Sequence, residues 1–475
     1  MESAETTSIN RRPWAVLALT SLPTFAVALD TTILYVAFGD LRRTFAGATD
    51  AQLSWVLNAY TVVFGALLMV AGRVADRVGR KRLFLWGLAV FTASSALCGV
   101  APSSALLIAA RVIQAVGAAI LLPTSLALIL AAFPTEKRPI AVSVWGAVQA
   151  LAAAVGPALG SAIVQTAGWR WAFYVNVPLG IFAAVRSRSR LEESHERSAE
   201  QMPGPLPIAL AIGAPGLLAL GVIGAGAWGP TSTLTLASLV GSVVLLALLI
   251  VDTRRARVPM IDRTLFADSN YRTATWGVFV FSIAFTAMFF GFILFLTRIW
   301  GYSIFRAGLA MTPGPLSVIP AAVIGGRIAA KRGHKALLVL GGLLYAAAGL
   351  MLLLEATPQP EYLTVFLPNS IIVGAAIGLT FPSLVGVAVH GLSPDRFALG
   401  VAVNFAIRQV GSVLGVAFVV GFVARGGTMP FAGFRALVIA LIAGGLLTAW
   451  IGSSAQTRPG ASLGPAKSKA SAVGT

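Results

Sequence analysis

The sequence predicts an all-α integral membrane protein of about fourteen spanning helices, arranged as two parallel six-helix bundles with two further helices inserted between them. Three observations carry this fold class: a composition that no soluble core accommodates, apolar runs of bilayer length, and an internal repeat. Of the 475 residues, 57% are hydrophobic and 11% charged, where a typical soluble domain has about 25% charged residues. Lipid is therefore the solvent for most of these side chains.

Runs of about 20 predominantly apolar residues cross the hydrocarbon core of a bilayer. Such runs fall at 14–38, 53–72, 83–101, 105–132, 139–165, 170–186, 206–228, 233–252, 273–299, 304–329, 336–355, 362–391, 397–424 and 432–452. Only the short break from Pro134 to Arg138 separates the fourth run from the fifth, which makes thirteen the competing count. With the N-terminus in the cytoplasm, 26 of the 35 Lys and Arg residues lie on the cytoplasmic side, 7 lie outside, and 2 (Arg111 and Arg408) lie within spans. The positive-inside rule favours this orientation, with both termini cytoplasmic.

Topology thus accounts for the net charge of +18. Nucleic-acid readers instead gather basic residues on a soluble domain with a binding motif, and no such motif is present. The first run has no A-x-A-like cleavage site and is too long for a signal-peptide core, so it reads as a retained helix. No connecting loop exceeds about 20 residues, too few for a soluble catalytic domain. The single cysteine, Cys98, excludes an intrachain disulfide or a Cys metal site. From Ser453 onward the chain is rich in Ser, Ala, Gly and Lys and reads as a disordered cytoplasmic tail.

One loop recurs. Gly72-Arg73-Val-Ala-Asp76-Arg77-Val-Gly79-Arg80-Lys81 follows the second span, and Gly326-Arg-Ile-Ala-Ala330-Lys331-Arg-Gly333-His334-Lys335 follows the tenth, at an offset of 254. Gly156-Pro157-Ala-Leu-Gly160 and Gly411-Ser412-Val-Leu-Gly415 repeat at an offset of 255. Six spans occupy about 190 residues, so the offset leaves room for two more. The organisation is an N-terminal bundle over 1–190, a loop with inserted spans seven and eight over 191–270, a C-terminal bundle over 271–452 and the tail over 453–475. An even insertion keeps both halves facing the same way. Parallel repeats of this kind relate the halves of a carrier about the membrane normal, with the substrate site between them near mid-membrane.

Several motifs then point one way in combination: Leu29-Asp30-Thr31-Thr32-Ile33 in the first span, the Gly72–Lys81 loop, Arg111-Val-Ile-Gln114 with Gly117 in the fourth, Gly156-Pro157 in the fifth, and Trp169-Arg170-Trp171 through Asn176 and Pro178 entering the sixth. On these residues the chain resembles the fourteen-helix drug:proton antiporter branch of the major facilitator superfamily, from about residue 14 to residue 452. The resemblance implies a multidrug efflux transporter of the bacterial plasma membrane. It would work as a single chain without cofactor or metal, its partners being small molecules, protons and the lipid bilayer.

Asp30 is the first residue to carry chemistry. A carboxylate in a span costs about 2.5–3.5 kcal/mol on insertion scales. Burial raises its pKa and a neighbouring cation lowers it, so a group between those effects can take up and release a proton. Asp30 lies about eight residues from the outer end of the first span and Arg111 about six from the outer end of the fourth. At ~1.5 Å per residue both sit roughly 9–12 Å deep, so the two can pair. The resemblance assigns this Asp and this Arg to proton coupling; the plainer reading is a static ion pair.

The resemblance makes the Gly72–Lys81 loop a cytoplasmic latch, with Gly72, Arg73, Asp76, Arg77, Gly79, Arg80 and Lys81 as its residues. Gly79 suits a turn with positive φ, and Asp76 suits the N-terminus of a helix in the other half. Glu136 is a possible partner for Arg80. The second copy has Ala330 where Asp76 stands, so the latch would be asymmetric. Pro157 kinks a helix, while Gly156 and Gly160 admit a close neighbour; the resemblance assigns this element to antiport, although Ser143 and Ala152 stand where the family's fuller pattern has glycines.

Asn58, Gln114, Gln149, Asn404, Arg408 and Gln409 are the polar residues expected in a substrate cavity. For Arg408, three roles stay open: sharing Asp30, binding substrate, or bonding backbone carbonyls. His334 and His390 read as solvated. The chain lacks a G-x-x-x-x-G-K-[ST] phosphate loop and the paired acids, His ligands or nucleophile–base sets of intramembrane enzymes. Proton-driven export of a hydrophobic or cationic compound is the expected function. The alternatives are import of a small metabolite or export of an endogenous one.

Overall fold

A computed structural model describes residues 11–134, 138–193, 204–256, 259–390, 392, 397–423 and 429–457. The N-terminal half comprises α1 (Arg11–Thr44), α2 (Asp50–Val78), α3 (Arg80–Val100), α4 (Ser104–Ala132), α5 (Arg138–Ala167), the short α6 (Trp171–Tyr174) and α7 (Asn176–Arg190). A hairpin of α8 (Pro205–Ala227) and α9 (Thr233–Arg255) follows. The C-terminal half comprises α10 (Ser269–Leu294), α11 (Ile304–Met311), α12 (Pro313–Arg332), α13 (Lys335–Glu355), α14 (Leu367–Val389), α15 (Phe397–Phe418) and α16 (Phe431–Ser453). No strand occurs among the described residues.

Side chains stop these helices where the sequence turns polar. Thr49 and Gln52 form a reciprocal cap on α2, while Ser103, Ser232, Asp268 and Ser303 accept from the opening turns of α4, α9, α10 and α11. Each such cap satisfies an N–H that the helix itself leaves unpaired.

Among the described residues, twelve helical segments are long and apolar enough to cross a membrane. The expected count of about fourteen is not met on this criterion; α5 and the α6–α7 pair fall outside the set. The reason is clear for the expected sixth span. One residue, Val175, parts α6 from α7 while keeping helical φ and ψ (−59°, −28°), and the longer piece, of 15 residues, carries Arg186, Arg188 and Arg190. The expected tenth span is likewise two helices, parted at Thr312 where Pro313 opens α12.

The repeat is visible in the packing. The helix pairs α1–α5, α2–α4 and α3–α4 recur as α10–α15, α12–α14 and α13–α14. Gly79 and Gly333, 254 positions apart, both hold positive φ (113° and 77°) at the turn into the next helix. The glycine pair of α5 lies against α1, and Gly411 and Gly415 lie against α10 in the same way. The halves meet through α2 against α15 and, symmetrically, through α5 against α11 and α12. Helix α8 packs on both α2 and α15, so it braces one seam between the halves. Helix α9 packs on α8 and exposes Leu234, Val240, Val243, Val244 and Leu248, a face suited to lipid.

The tail departs from expectation at its start. Residues 454–457 are placed against the bundle: Asn270 Nδ2 donates to the Gln456 carbonyl (3.1 Å), and Gln456 N donates to Asn270 Oδ1 (2.8 Å). Two reciprocal hydrogen bonds hold a segment that composition alone assigns to solvent. Residues 458–475 lie outside the described residues.

Candidate functional site

Asp30 and Arg111 meet inside the N-terminal half, each 1% exposed. Arg111 Nη1 donates to Asp30 Oδ2 at 2.5 Å and to Gln114 Oε1 at 2.6 Å, and its Nε donates to the Val56 carbonyl at 3.1 Å. The second carboxylate oxygen accepts from Gln114 Nε2 (3.1 Å) and Asn176 Nδ2 (3.2 Å). Gln114 also donates to Ser95 Oγ at 2.8 Å, and the Tyr60 ring lies 3.9 Å from the Arg111 guanidinium carbon. Five helices thus meet in one network around the carboxylate: α1, α2, α3, α4 and α7. A buried pair offsets its desolvation only when its remaining hydrogen-bonding groups are satisfied, and here the carboxylate receives three donors.

The sequence paired Asp30 with Arg111 by depth and brought Gln114 into view separately. It did not join Asn176, Ser95 or Tyr60 to them. Asn176 opens α7, and the depth argument used for Arg111 could have extended to it.

Close packing beside Asp30 depends on α5. A Cβ on Gly156 would land on Thr32 Oγ1, and one on Gly160 would lie 2.9 Å from Ile33 Cγ1. The other side of α5 meets the C-terminal half, where a Cβ on Gly308 would land on the Pro157 carbonyl and Ser161. Gly156, Pro157 and Gly160 therefore sit where α5 contacts both α1 and α11, one from each half.

The expected Gly72–Lys81 loop is largely helical: α2 runs on to Val78 and α3 begins at Arg80, with Gly79 alone between them. The side chains of Arg73 and Asp76, and all of Glu136, lie outside the described residues, and the expected Asp76 and Glu136 contacts with them. Arg77 is exposed at the end of α2, and Arg80 opens α3. The described contact is with Glu193, just beyond α7: its carboxylate accepts from Lys81 N and Arg82 N, each at 3.0 Å, while Lys81 Nζ donates to the Arg188 carbonyl at 2.8 Å. An acid at a helix N-terminus is favoured by the orphan N–H groups and the dipole. Gly79 leaves room for it; a Cβ there would lie 2.8 Å from the Glu193 carboxyl.

The second half copies this arrangement with a neutral residue. His334 N donates to Thr457 Oγ1 at 2.7 Å, beside Gly333. His334 is half-buried against Gly386 rather than solvated, and burial, with the charge of His390 second, holds its pKa below the usual imidazole range.

Between the halves, Tyr35 packs on Phe289 and Phe290 (5.5 and 5.6 Å between centroids) and Phe38 on Phe290 (5.0 Å). Phe305 N donates to Gln165 Oε1 at 3.1 Å on the same side. Arg408 lies deeper, its guanidinium carbon 4.3 Å from the Phe381 ring and 5.2 Å from the Phe405 ring. Gln409 presses on Gly65 of α2, where a Cβ would lie 2.7 Å from its own. Asn58 is fully buried with both amide atoms unpaired, and Asn404 is 3% exposed with Nδ2 unpaired. Gln149 is half-buried on α5. Trp276 faces outward, and Trp145 Nε1 donates to Ser125 Oγ (3.2 Å). No group of three or more His, Cys, Asp or Glu converges among the described residues.

Comparison with known proteins adds to this geometry. The family described as Major Facilitator Superfamily matches residues 20–416. A multidrug resistance protein, Stp, of Mycobacterium tuberculosis (strain CDC 1551 / Oshkosh) is 33% identical over 86% of this chain and 75% of its own. A puromycin resistance protein of Streptomyces alboniger is 34% identical (88% and 83%), and a methylenomycin A resistance protein of Streptomyces coelicolor is 30% identical (84% of each). A crystal structure of a peptide transporter in complex with sulfate superposes with a TM-score of 0.69, covering 94% of this chain and 96% of that one. At 14% identity that likeness concerns the fold alone.

Proposed function

This chain belongs to the Major Facilitator Superfamily, as a multi-pass transport protein rather than an enzyme, and from that premise we propose that it is a proton-driven antiporter exporting small molecules, antibiotics among them, by alternating access. The observation that carries the reading is the buried Asp30–Arg111 pair, a titratable carboxylate fixed inside a spanning bundle. Resistance relatives at about 30% identity support the outward direction. In this reading the chain crosses the plasma membrane of a bacterium fourteen times, α5 and α6–α7 included. Both termini lie in the cytoplasm, and the chain works as a monomer.

The coupling follows from electrostatics. With Asp30 ionised, the pair is neutral and its donors are satisfied. A proton on Asp30 cancels the attraction and leaves Arg111 as an uncompensated buried cation, a state that costs about 3–5 kcal/mol. Relief comes from a rearrangement of α1 against α4 and α5. Because α5 also touches α11, that shift reaches the seam between the halves. The Gly72–Lys81 loop, held by Glu193, stiffens the cytoplasmic ends of α2 and α3 as they move. Release of the proton to the cytoplasm resets the pair.

Inverted vesicles carrying a pH-sensitive dye test the reading. A panel of antibiotics and lipophilic compounds is added after a proton gradient is imposed. We expect at least one compound to collapse the gradient in wild-type vesicles and not in Asp30→Asn vesicles. Substrate accumulation in whole cells along the proton gradient, with no such collapse, would establish import instead.

A further inference from the structure

Arg408 is a half-buried cation near the middle of α15 that the Asp30 network does not use. Gly411 and Gly415 press α15 onto α10, and Ala406 and Gln409 press it onto α2 at Gly65. At 3.6 residues per turn Arg408 projects between those two faces, toward the seam between the halves. Tyr35, Phe285, Phe381 and Phe405, all half-buried, wall that space with Arg408.

Among the described residues, no carboxylate or carbonyl accepts a hydrogen bond from the Arg408 guanidinium. Asp30 is already taken by Arg111, Gln114 and Asn176. Tyr35 is a phenol, neutral at ordinary pH. One turn earlier on the same face, Asn404 Nδ2 is buried without an acceptor. Arg408 therefore faces an aromatic-walled space without an acceptor among the described residues, and the buried Asn404 amide lies one turn away. Buried donors of this kind are costly until they are paired. A guanidinium matches a carboxylate oxygen for oxygen.

We propose that this aromatic-walled region between the halves takes amphipathic acids, with Arg408 and Asn404 binding a carboxylate and the aromatic walls holding an apolar or aromatic body. The proposal rests on the export reading above and narrows it: the cargo is an organic anion, not a lipophilic cation. It also changes the electrical balance. One proton inward against one monoanion outward moves two positive charges inward per cycle, so export would respond to membrane potential as well as to pH.

The test is equilibrium binding to the full-length protein in nanodiscs, with tritiated 2-naphthoate as probe and 2-naphthamide and 2-naphthylmethylammonium as competitors. The acid should bind at least about tenfold more tightly than either neutral or cationic analogue. Arg408→Gln should erase the preference, and Arg408→Lys, which keeps the charge, should retain much of it. The proposal is overturned if the ammonium analogue binds as tightly as the acid in the wild type, or if the preference survives Arg408→Gln. The wild-type ranking decides the substrate class even where a variant folds poorly. Binding needs no proton gradient, so this ranking can fail while gradient-driven export holds, and the reverse.

Discussion

Replacing Asp30 with Asn keeps the side chain's size and removes its charge. The carboxylate accepts hydrogen bonds at 2.5, 3.1 and 3.2 Å. An amide offers one oxygen and one nitrogen, so either Arg111 or the pair Gln114 and Asn176 must face a donor. Removing one partner of a buried ion pair costs about 3–5 kcal/mol, or roughly two to three and a half decades in the folding equilibrium. Denaturant titration in detergent should register that loss, and vesicles carrying the variant should show no proton-coupled export. The double variant Asp30→Asn/Arg111→Gln takes away the stranded cation. It should regain stability to within about 1 kcal/mol of wild type while coupling stays lost, the non-additivity expected of contacting residues. An Asp30→Asn protein as stable as wild type, or one that still couples, would refute the reasoning.

Two further outcomes follow from the packing. Gly156→Ala places a methyl on Thr32 Oγ1; overpacking of this kind costs about 1–3 kcal/mol, and Thr32→Ala in the same chain should recover most of it in thermal unfolding. Glu193→Ala strips the acid from the N-terminus of α3 and should cost about 1 kcal/mol. Glu193→Gln, which still offers one acceptor, should cost less, and equal stability of all three proteins would remove Glu193 from the latch.

The arrangement also connects coupling with cargo. Asp30 lies sealed within one half, whereas Arg408 faces the seam between halves. On the two proposals above, proton and substrate would therefore not compete for one group. In the coupling proposed above, the α1–α5 contact that Gly156 and Gly160 keep close would carry a shift of one helix to the other.

Much of this protein was legible in the sequence because transfer into lipid is a sum over residues. Apolar run length placed most of the spans, Lys and Arg bias suggested an orientation, and the 254–255 offset exposed the repeat before any coordinates. Depth along a helix even brought Asp30 and Arg111 to one level. What the sequence left open depends on tilt, rotation and neighbour, which packing sets rather than hydropathy. Hydropathy joined α6 and α7 into one span; the structure parts them at the single residue Val175 and places Arg186, Arg188 and Arg190 at the end of α7. Composition made the whole tail solvent, whereas Asn270 and His334 hold its first residues. Only the tertiary structure decided that Asn176 and Gln114 complete the Asp30 site, that Glu193 caps α3, and that no acid among the described residues pairs with Arg408. Each of these joins groups far apart in the chain, and a hydrogen bond of about 3 Å is a property of the folded geometry alone.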